Sequence, residues 1–184
     1  AGTYTYSGSG SVFGIDFRPG AVFPFLKVPM NSWPQKGLLA DECLESFPNL
    51  PKKWDENNLS RWLNELENLL LIKLEGPEKH HYREIKSLIE EIQLRNTQTP
   101  EDLSKKAGVS SRTLQRIFQK EVGLSPRDVI RIARFNNAIR HLSQNDFPAF
   151  TDVALASGFF DQPHMINEFK KLVRTPPSQF RLYL

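Results

Sequence analysis

Cysteine is nearly missing from this chain: Cys43 is the only one in 184 residues. A lone thiol excludes an intramolecular disulfide, a Cys-x-x-Cys pair and a cysteine-based zinc site, and it fits a reducing cytoplasm. Long apolar runs are also missing. No segment approaches the roughly 20 residues needed to cross a bilayer, and no basic segment followed by an apolar one marks the N-terminus for export. Phosphate-cradling glycine loops, a dinucleotide fingerprint and a nucleophile elbow are absent as well. His80 and His81 are adjacent and point different ways along a helix; with Glu84 they supply too few ligands for zinc. No metal, no cofactor and no catalytic residue is expected, and the chain does not read as an enzyme. It opens at Ala1 rather than methionine and reads as entering mid-domain, which suggests a processed or truncated product.

What is present is unevenly distributed. The net charge of +3 hides a split after Asn96. Residues 97–184 hold 13 Lys+Arg against 8 Asp+Glu, whereas residues 1–96 hold 11 against 13. A basic C-terminal half points to a polyanionic partner, because neutralising phosphates releases counterions. The same half contains one pattern twice. Leu103, Gly108, Leu114, Phe118, Val122 and Pro126 recur as Val153, Gly158, Met165, Phe169, Val173 and Pro177. The offset is 50 residues for the first two pairs and 51 for the others, so one residue is inserted after the second glycine. Each copy has a short apolar helix signal, a glycine turn, a polar cap and a helix with apolar residues four apart, which is the order of a helix-turn-helix.

Residues 1–54 are rich in Gly, Ser, Pro and Phe and read as strands and loops. Val12, Phe13, Ile15 and Phe17 form a plausible strand ended by Arg18-Pro19-Gly20, and 21–28 a second, confined to an edge by Pro24. The aromatic set Phe13, Phe17, Phe23, Phe25 and Trp33 suits a small core over the next helix, or a ligand pocket. Residues 55–96 read as a helical pair. Asp55 or Asn57 caps the first helix, Gly76-Pro77 ends it, and Leu59, Trp62, Leu63, Leu66, Leu69 and Leu70 form its stripe. That stripe serves a core or a dimer seam, and one helix can do both. The second helix buries Tyr82, Ile85, Leu88, Ile89 and Ile92 and shows Lys86, Glu90 and Glu91 to solvent.

In the first repeat, at about 100–121, Thr99-Pro100-Asp102 starts a helix that buries Leu103 and Ala107. Gly108 turns the chain, and Ser110 or Ser111 caps a helix with Leu114, Ile117 and Phe118 inside. Ser125-Pro126-Arg127-Asp128 is a capping box opening a long linker helix at about 126–143, with Val129, Ile132, Phe135, Ile139 and Leu142 buried. At about 1.5 Å per residue, 18 to 20 residues span roughly 27 to 30 Å, comparable with the ~34 Å between successive major grooves on one face of B-DNA. After the Asn145-Asp146-Phe147-Pro148 break, the second repeat at about 151–173 buries Val153, Ala154 and Phe159 and caps its second helix with Asp161. Phe159 is the counterpart of Val109. The expected fold is therefore mainly α: two helix-turn-helix subdomains joined by a linker helix, preceded by a helical pair and a short β/loop segment.

The stretches GVSSRTLQRIFQKEVGLSPRDVIRIARFNNA and DVALASGFFDQPHMINEFKKLVRTPPSQFR resemble the DNA-binding domain of the bacterial AraC/XylS transcription regulators. The resemblance covers about 80 residues and ends on the Pro-x-x-Phe-Arg of Pro177 to Arg181. It implies sequence-specific binding of double-stranded promoter DNA, with recognition helices in successive major grooves. By that resemblance Arg112, Gln115 and Arg116 read bases from the first helix, and Gln162, Pro163, His164 and Asn167 from the second. Arginine bonds guanine in two places and glutamine or asparagine does the same to adenine. Ser110, Ser111, Thr113, Gln119, Arg131 and Lys170 are candidates for the DNA backbone. Pro163, Ile166, Asn167 and Arg174 depart from the family pattern, so the second unit is expected to touch backbone and thymine methyls more than it reads a base code. Arg174 replaces a helix-ending glycine.

More weakly, VFGIDFRPGAVFPFL resembles the last strand segment of that family's cupin-like sensor, and the Leu59–Leu74 helix resembles its subunit-pairing helices. The implied partners are promoter DNA, RNA polymerase and a second copy of the chain. No small-molecule effector is assigned, and the place of action is the cytoplasm, at the nucleoid. The competing reading is a protein-interaction or oligomerisation module that has lost DNA contact.

Overall fold

In the computed structural model the described residues are 17–26, 28–32, 58–74, 81–95, 98–144 and 149–180. The chain divides into two compact units: residues 1–82 with 119–123, and residues 83–118 with 124–184. Among the described residues every regular element is helical. Val12, Phe13, Ile15, Trp33, Cys43, His80, the Asp55 or Asn57 cap, the Gly76-Pro77 stop and the Asn145 to Pro148 break lie outside them.

In the first unit, Arg18-Pro19-Gly20-Ala21 makes the turn its residues call for. Ala21 N donates to Arg18 O at 2.9 Å and Gly20 takes φ 80°, as the third position of a type II turn requires. The strand expected at 21–28 is instead a one-turn helix, α1 (Phe23–Leu26). Pro24 falls in its first turn, where a missing amide hydrogen is no loss. Phe23 and Phe25 are buried, Phe25 lies 5.8 Å from the Phe17 ring, and α1 packs on α2 (Leu59–Leu74). Core formation therefore accounts for these phenylalanines. Met30–Ser32 is a 3₁₀ turn closed by Ser32 Oγ donating to Pro29 O. On α2, Leu66 is buried and Leu59, Trp62, Leu69 and Leu70 are half-buried. Leu63, expected in the stripe, is exposed, as are Leu71 and Ile72.

The last turn of the first repeat's second helix, Gln119–Gly123, belongs to this unit. The Glu121 carboxylate is buried, accepts from His81 N at 3.0 Å and meets His81 Nδ1 at 2.7 Å. Lys120 Nζ lies 5.1 Å over the Phe23 ring, and Met30 backs onto Gly123, whose φ of 84° suits glycine.

The second unit begins with α3 (Tyr82–Leu94), which buries Ile85, Leu88, Ile89 and Ile92 as its period requires. Lys86 and Glu90 form an exposed pair, but Glu91 is not solvated charge: it is half-buried and ion-paired with Lys106. The first repeat is α4 (Pro100–Lys106) and α5 (Ser111–Glu121), the linker is α6 (Pro126–Leu142), and the second repeat is α7 (Phe150–Ala156) and α8 (Gln162–Val173), followed by α9 (Pro177–Phe180). Leu103, Leu114 and Phe118 are buried in the first repeat, whereas Ala107 and Val109 are only half-buried. The linker buries Val129, Ile130, Ala133, Asn137, Ala138 and Leu142. Ile132, expected inside, is exposed. The buried face is thus rotated onto small residues, which let α7 and α8 approach. Ala138 and Leu142 join Val153, Ala154, Phe159, Met165 and Phe169 in one core, and the Phe135, Phe169 and Phe180 rings meet there at 4.6 to 6.1 Å.

Candidate nucleic-acid interface

The two repeats fold by the same local chemistry. In α4, Thr99 Oγ1 accepts from Asp102 N and the Asp102 carboxylate accepts from Thr99 N, a reciprocal cap that satisfies two orphan donors. Its hydrogen bonds from Thr99 hold the Asp102 carboxyl below its ordinary range. Both glycine turns close with the same pair of bonds. Val109 N donates to Ser104 O and Gly108 N to Lys105 O; Phe159 N donates to Ala154 O and Gly158 N to Leu155 O. This is the Schellman ending, which places the glycine in the left-handed region, and φ is 65° at Gly108 and 82° at Gly158. Apart from its chain neighbours, a Cβ on Gly108 would meet no atom of the described residues within 4 Å, so backbone conformation selects glycine there.

Ser110, not Ser111, caps α5, accepting from Thr113 N at 3.1 Å while its hydroxyl meets Thr113 Oγ1. Ser111 Oγ meets the buried Ser104 hydroxyl. With Leu114 and Phe118 buried, Arg112, Gln115 and Arg116 are left exposed at i, i+3 and i+4 on one face. Gln119 is half-buried in the last turn.

The corresponding helix of the second repeat is less free. Asp161 Oδ1 accepts from His164 N at 2.7 Å, and Pro163 sits in the first turn. Gln162 and His164 are half-buried and already bonded: Gln162 Oε1 accepts from Thr151 Oγ1, and His164 Nδ1 accepts from Phe160 N at 3.3 Å. Pro163, Asn167 and Lys170 are exposed and Ile166 is half-buried. Arg174 ends the helix in the left-handed region at φ 59° without a glycine, its N donating to Lys170 O.

Arg131, a backbone candidate, is committed elsewhere. Its Nε donates to Glu168 Oε2 at 2.6 Å and its Nη1 to Asp128 Oδ1 at 3.1 Å, while Lys171 Nζ donates to Glu168 Oε1 at 2.9 Å. Burial pushes the Glu168 carboxyl up, but the bonds from Lys171 and Arg131 outweigh it and hold the group below its ordinary range. The bond to Glu168 raises Arg131 in turn. Asp128 is lowered chiefly by the Ser125 hydroxyl, which donates to Oδ2 at 2.6 Å; Ser125 Oγ also accepts from Asp128 N. Arg134 is lowered by burial, with Glu168 opposing the shift. These groups line a cleft of about 630 Å³ between the start of α4, α6 and α8, together with Gln98, Arg127 and His164. Sequence reasoning missed Glu168. The available signal was an acid beside Met165 and Phe169 on the apolar face of α8.

Residues 103–182 match the helix-turn-helix domain family. Two such motifs, joined by one capped helix and closed by Phe180, are now visible in that span. This stretch is an AraC-type helix-turn-helix domain. Over 84 residues the chain is 36% identical to the uncharacterized HTH-type transcriptional regulator YbfP of Bacillus subtilis (strain 168), a match covering 46% of this chain and 28% of that protein. Over 79 residues it is 34% identical to the probable transcription factor PqrA of Proteus vulgaris, covering 43% of this chain and 64% of that one. The chain thus spans from about a quarter to under two thirds of these curated relatives. In fold it is similar to the C-terminal domain of AraT, a response regulator from Geobacillus stearothermophilus, with a TM-score of 0.50, 23% identity, and coverage of 55% of this chain and 85% of that one. The AraC-type domain accounts for the exposed polar faces of α5 and α8, which its turns hold at the surface while the apolar residues four apart stay inside.

Proposed function

We propose that this chain is a sequence-specific transcription regulator that binds double-stranded promoter DNA through its AraC-type domain. The observation that carries this reading is the face of α5, where Arg112, Gln115 and Arg116 are exposed together on a helix capped and turned as a recognition helix. The linker α6, at 17 residues and about 1.5 Å per residue, is about 26 Å long, which suits two helices in successive grooves about 34 Å apart. Because Gln162 and His164 are engaged within the second unit, α5 carries most of the base reading. Gln162, Pro163, His164 and Asn167 add a smaller share, and Ser110, Ser111, Thr113, Gln119 and Lys170 hold the backbone. Residues 55–96 act as a linker and pairing segment, with the exposed Leu63, Leu71 and Ile72 of α2 as the contact for a second copy. RNA polymerase is the further partner this role implies.

Selection of bound fragments from random DNA, followed by salt titration, tests the reading. The expected outcome is an enriched motif about two helical turns long, with affinity falling steeply as salt rises. Arg116→Ala relaxes preference at one position while leaving the others intact. Enrichment of no motif, or equal loss across all sequences for Arg116→Ala, refutes the assignment.

A further inference from the structure

Phe160 is the product of the one-residue difference between the repeats. The offset changes from 50 to 51 after Gly158, and the second copy carries Phe159-Phe160 where the first carries Val109 alone before its cap. Phe159 fills the core position, buried against the His164 ring at 5.4 Å. The additional residue has no place inside, and Phe160 is 85% exposed. A hydrophobic residue just before a helix cap ordinarily packs against the fourth residue of the helix, here Met165. Met165 is fully buried and Phe160 is not, so that staple is not made.

Single exposed hydrophobics are common on protein surfaces, and exposure alone means little. The position of Phe160 makes it informative. It lies two residues before Gln162, the first residue of α8, so their Cα atoms are at most about 7.6 Å apart. Its backbone is fixed by the bond from Phe160 N to His164 Nδ1 and by the buried Phe159 next to it. An exposed ring on a backbone held at the leading end of a helix whose first residues enter the major groove meets one apolar group there, the thymine C5-methyl.

We infer that Phe160 is a specificity-determining residue that recognises a thymine methyl in the half-site of the second repeat. This rests on the DNA-binding reading above and deepens it. The residues of α8 that face DNA include an imino acid and two side chains already bonded within the protein, and Phe160 supplies the discrimination they do not.

The test uses the full chain and a selected operator in which each thymine of the second half-site is replaced in turn by uracil, which lacks only the methyl. Wild type is expected to lose about fourfold in affinity at one thymine, the equivalent of one buried methyl. Phe160→Ala binds the thymine operator about fourfold more weakly and no longer distinguishes thymine from uracil at that position, with an unchanged melting temperature. Phe160→Leu retains part of the preference. If Phe160→Ala keeps the wild-type affinity and thymine/uracil profile, the inference is overturned. Loss of self-association with that profile intact also overturns it, by assigning the ring to a protein contact. If wild type selects an operator but shows no thymine/uracil difference, this inference alone fails; if wild type binds no DNA, both readings fail.

Discussion

Removing Arg131 separates two roles that the sequence alone does not distinguish. As a phosphate contact, Arg131 would add to every DNA complex and little to the free protein. As the partner of Glu168, it stabilises the free protein and leaves the count of phosphate contacts unchanged. Arg131→Ala leaves the Glu168 carboxylate, 8% exposed, with the ion pair to Lys171, whose side chain is 64% exposed, and the charge of Arg134. Breaking a fully buried pair costs about 3–5 kcal/mol, and an exposed pair contributes about 0–1 kcal/mol. Arg131 is 32% exposed, between those limits, and a loss of about 2 kcal/mol follows. For a chain of this size that lowers the melting temperature by about 4–8 °C.

The assay is thermal or urea unfolding of the free protein beside DNA binding at several salt concentrations. With Arg131 tied to Glu168, the slope of log affinity against log salt stays at its wild-type value once the folded fraction is corrected for. Loss of a phosphate contact would instead reduce the slope by about 0.9. Glu168→Gln supplies the second corner of a double-mutant cycle. The two changes should be non-additive by about 1–2 kcal/mol, because each removes the same interaction. An Arg131→Ala protein that melts within 1 °C of wild type and loses about one unit of salt slope would refute the structural role.

Three other substitutions test the domain's local chemistry. Ser157 is fully buried with a hydroxyl that finds no hydrogen-bond partner among the described residues, and the first repeat has Ala107 at the matching position; Ser157→Ala should stabilise the protein by about 1 kcal/mol, read as a higher urea midpoint. Arg174 at φ 59° carries the left-handed cost that glycine avoids, so Arg174→Gly should gain about 1 kcal/mol and Gly108→Ala should lose about as much, both measured by calorimetry. Asp128 and Glu168 are both held below their ordinary range, so the folded state releases their protons more readily than the unfolded chain does. Their stabilisation is complete above about pH 5 and is lost as pH falls through the folded values. The melting temperature should therefore drop below about pH 4, and Glu168→Gln should flatten that drop.

What could be read in advance was whatever a few neighbouring residues decide among themselves. Gly108 and Gly158 stand where a Schellman ending needs a left-handed residue, and Thr99-Pro100-x-Asp102 writes its own cap. The apolar residues four apart from Leu114 to Phe118 and from Met165 to Phe169 fix which face of each repeat's second helix turns inward, and so which side chains remain outside. Phe23–Leu26 misled because the same phenylalanines and proline suit an edge strand or a helical first turn, and packing on α2 decides between them. Ile132 misled because its period fits, but the linker is buried by elements on more than one side and turns its small residues to them. Glu168 and Arg131 are 37 residues apart, and no local pattern pairs a buried acid with one of the four arginines along α6. Phe160 falls between these cases: the change of offset from 50 to 51 records that a residue was added and the match of Phe159 to Val109 names the one kept inside, but only the structure shows that Phe160 is left 85% exposed. An insertion in a repeat therefore has to be followed into the packed structure before its purpose can be read, because the core selects the residue it keeps and leaves the other for solvent or for a partner.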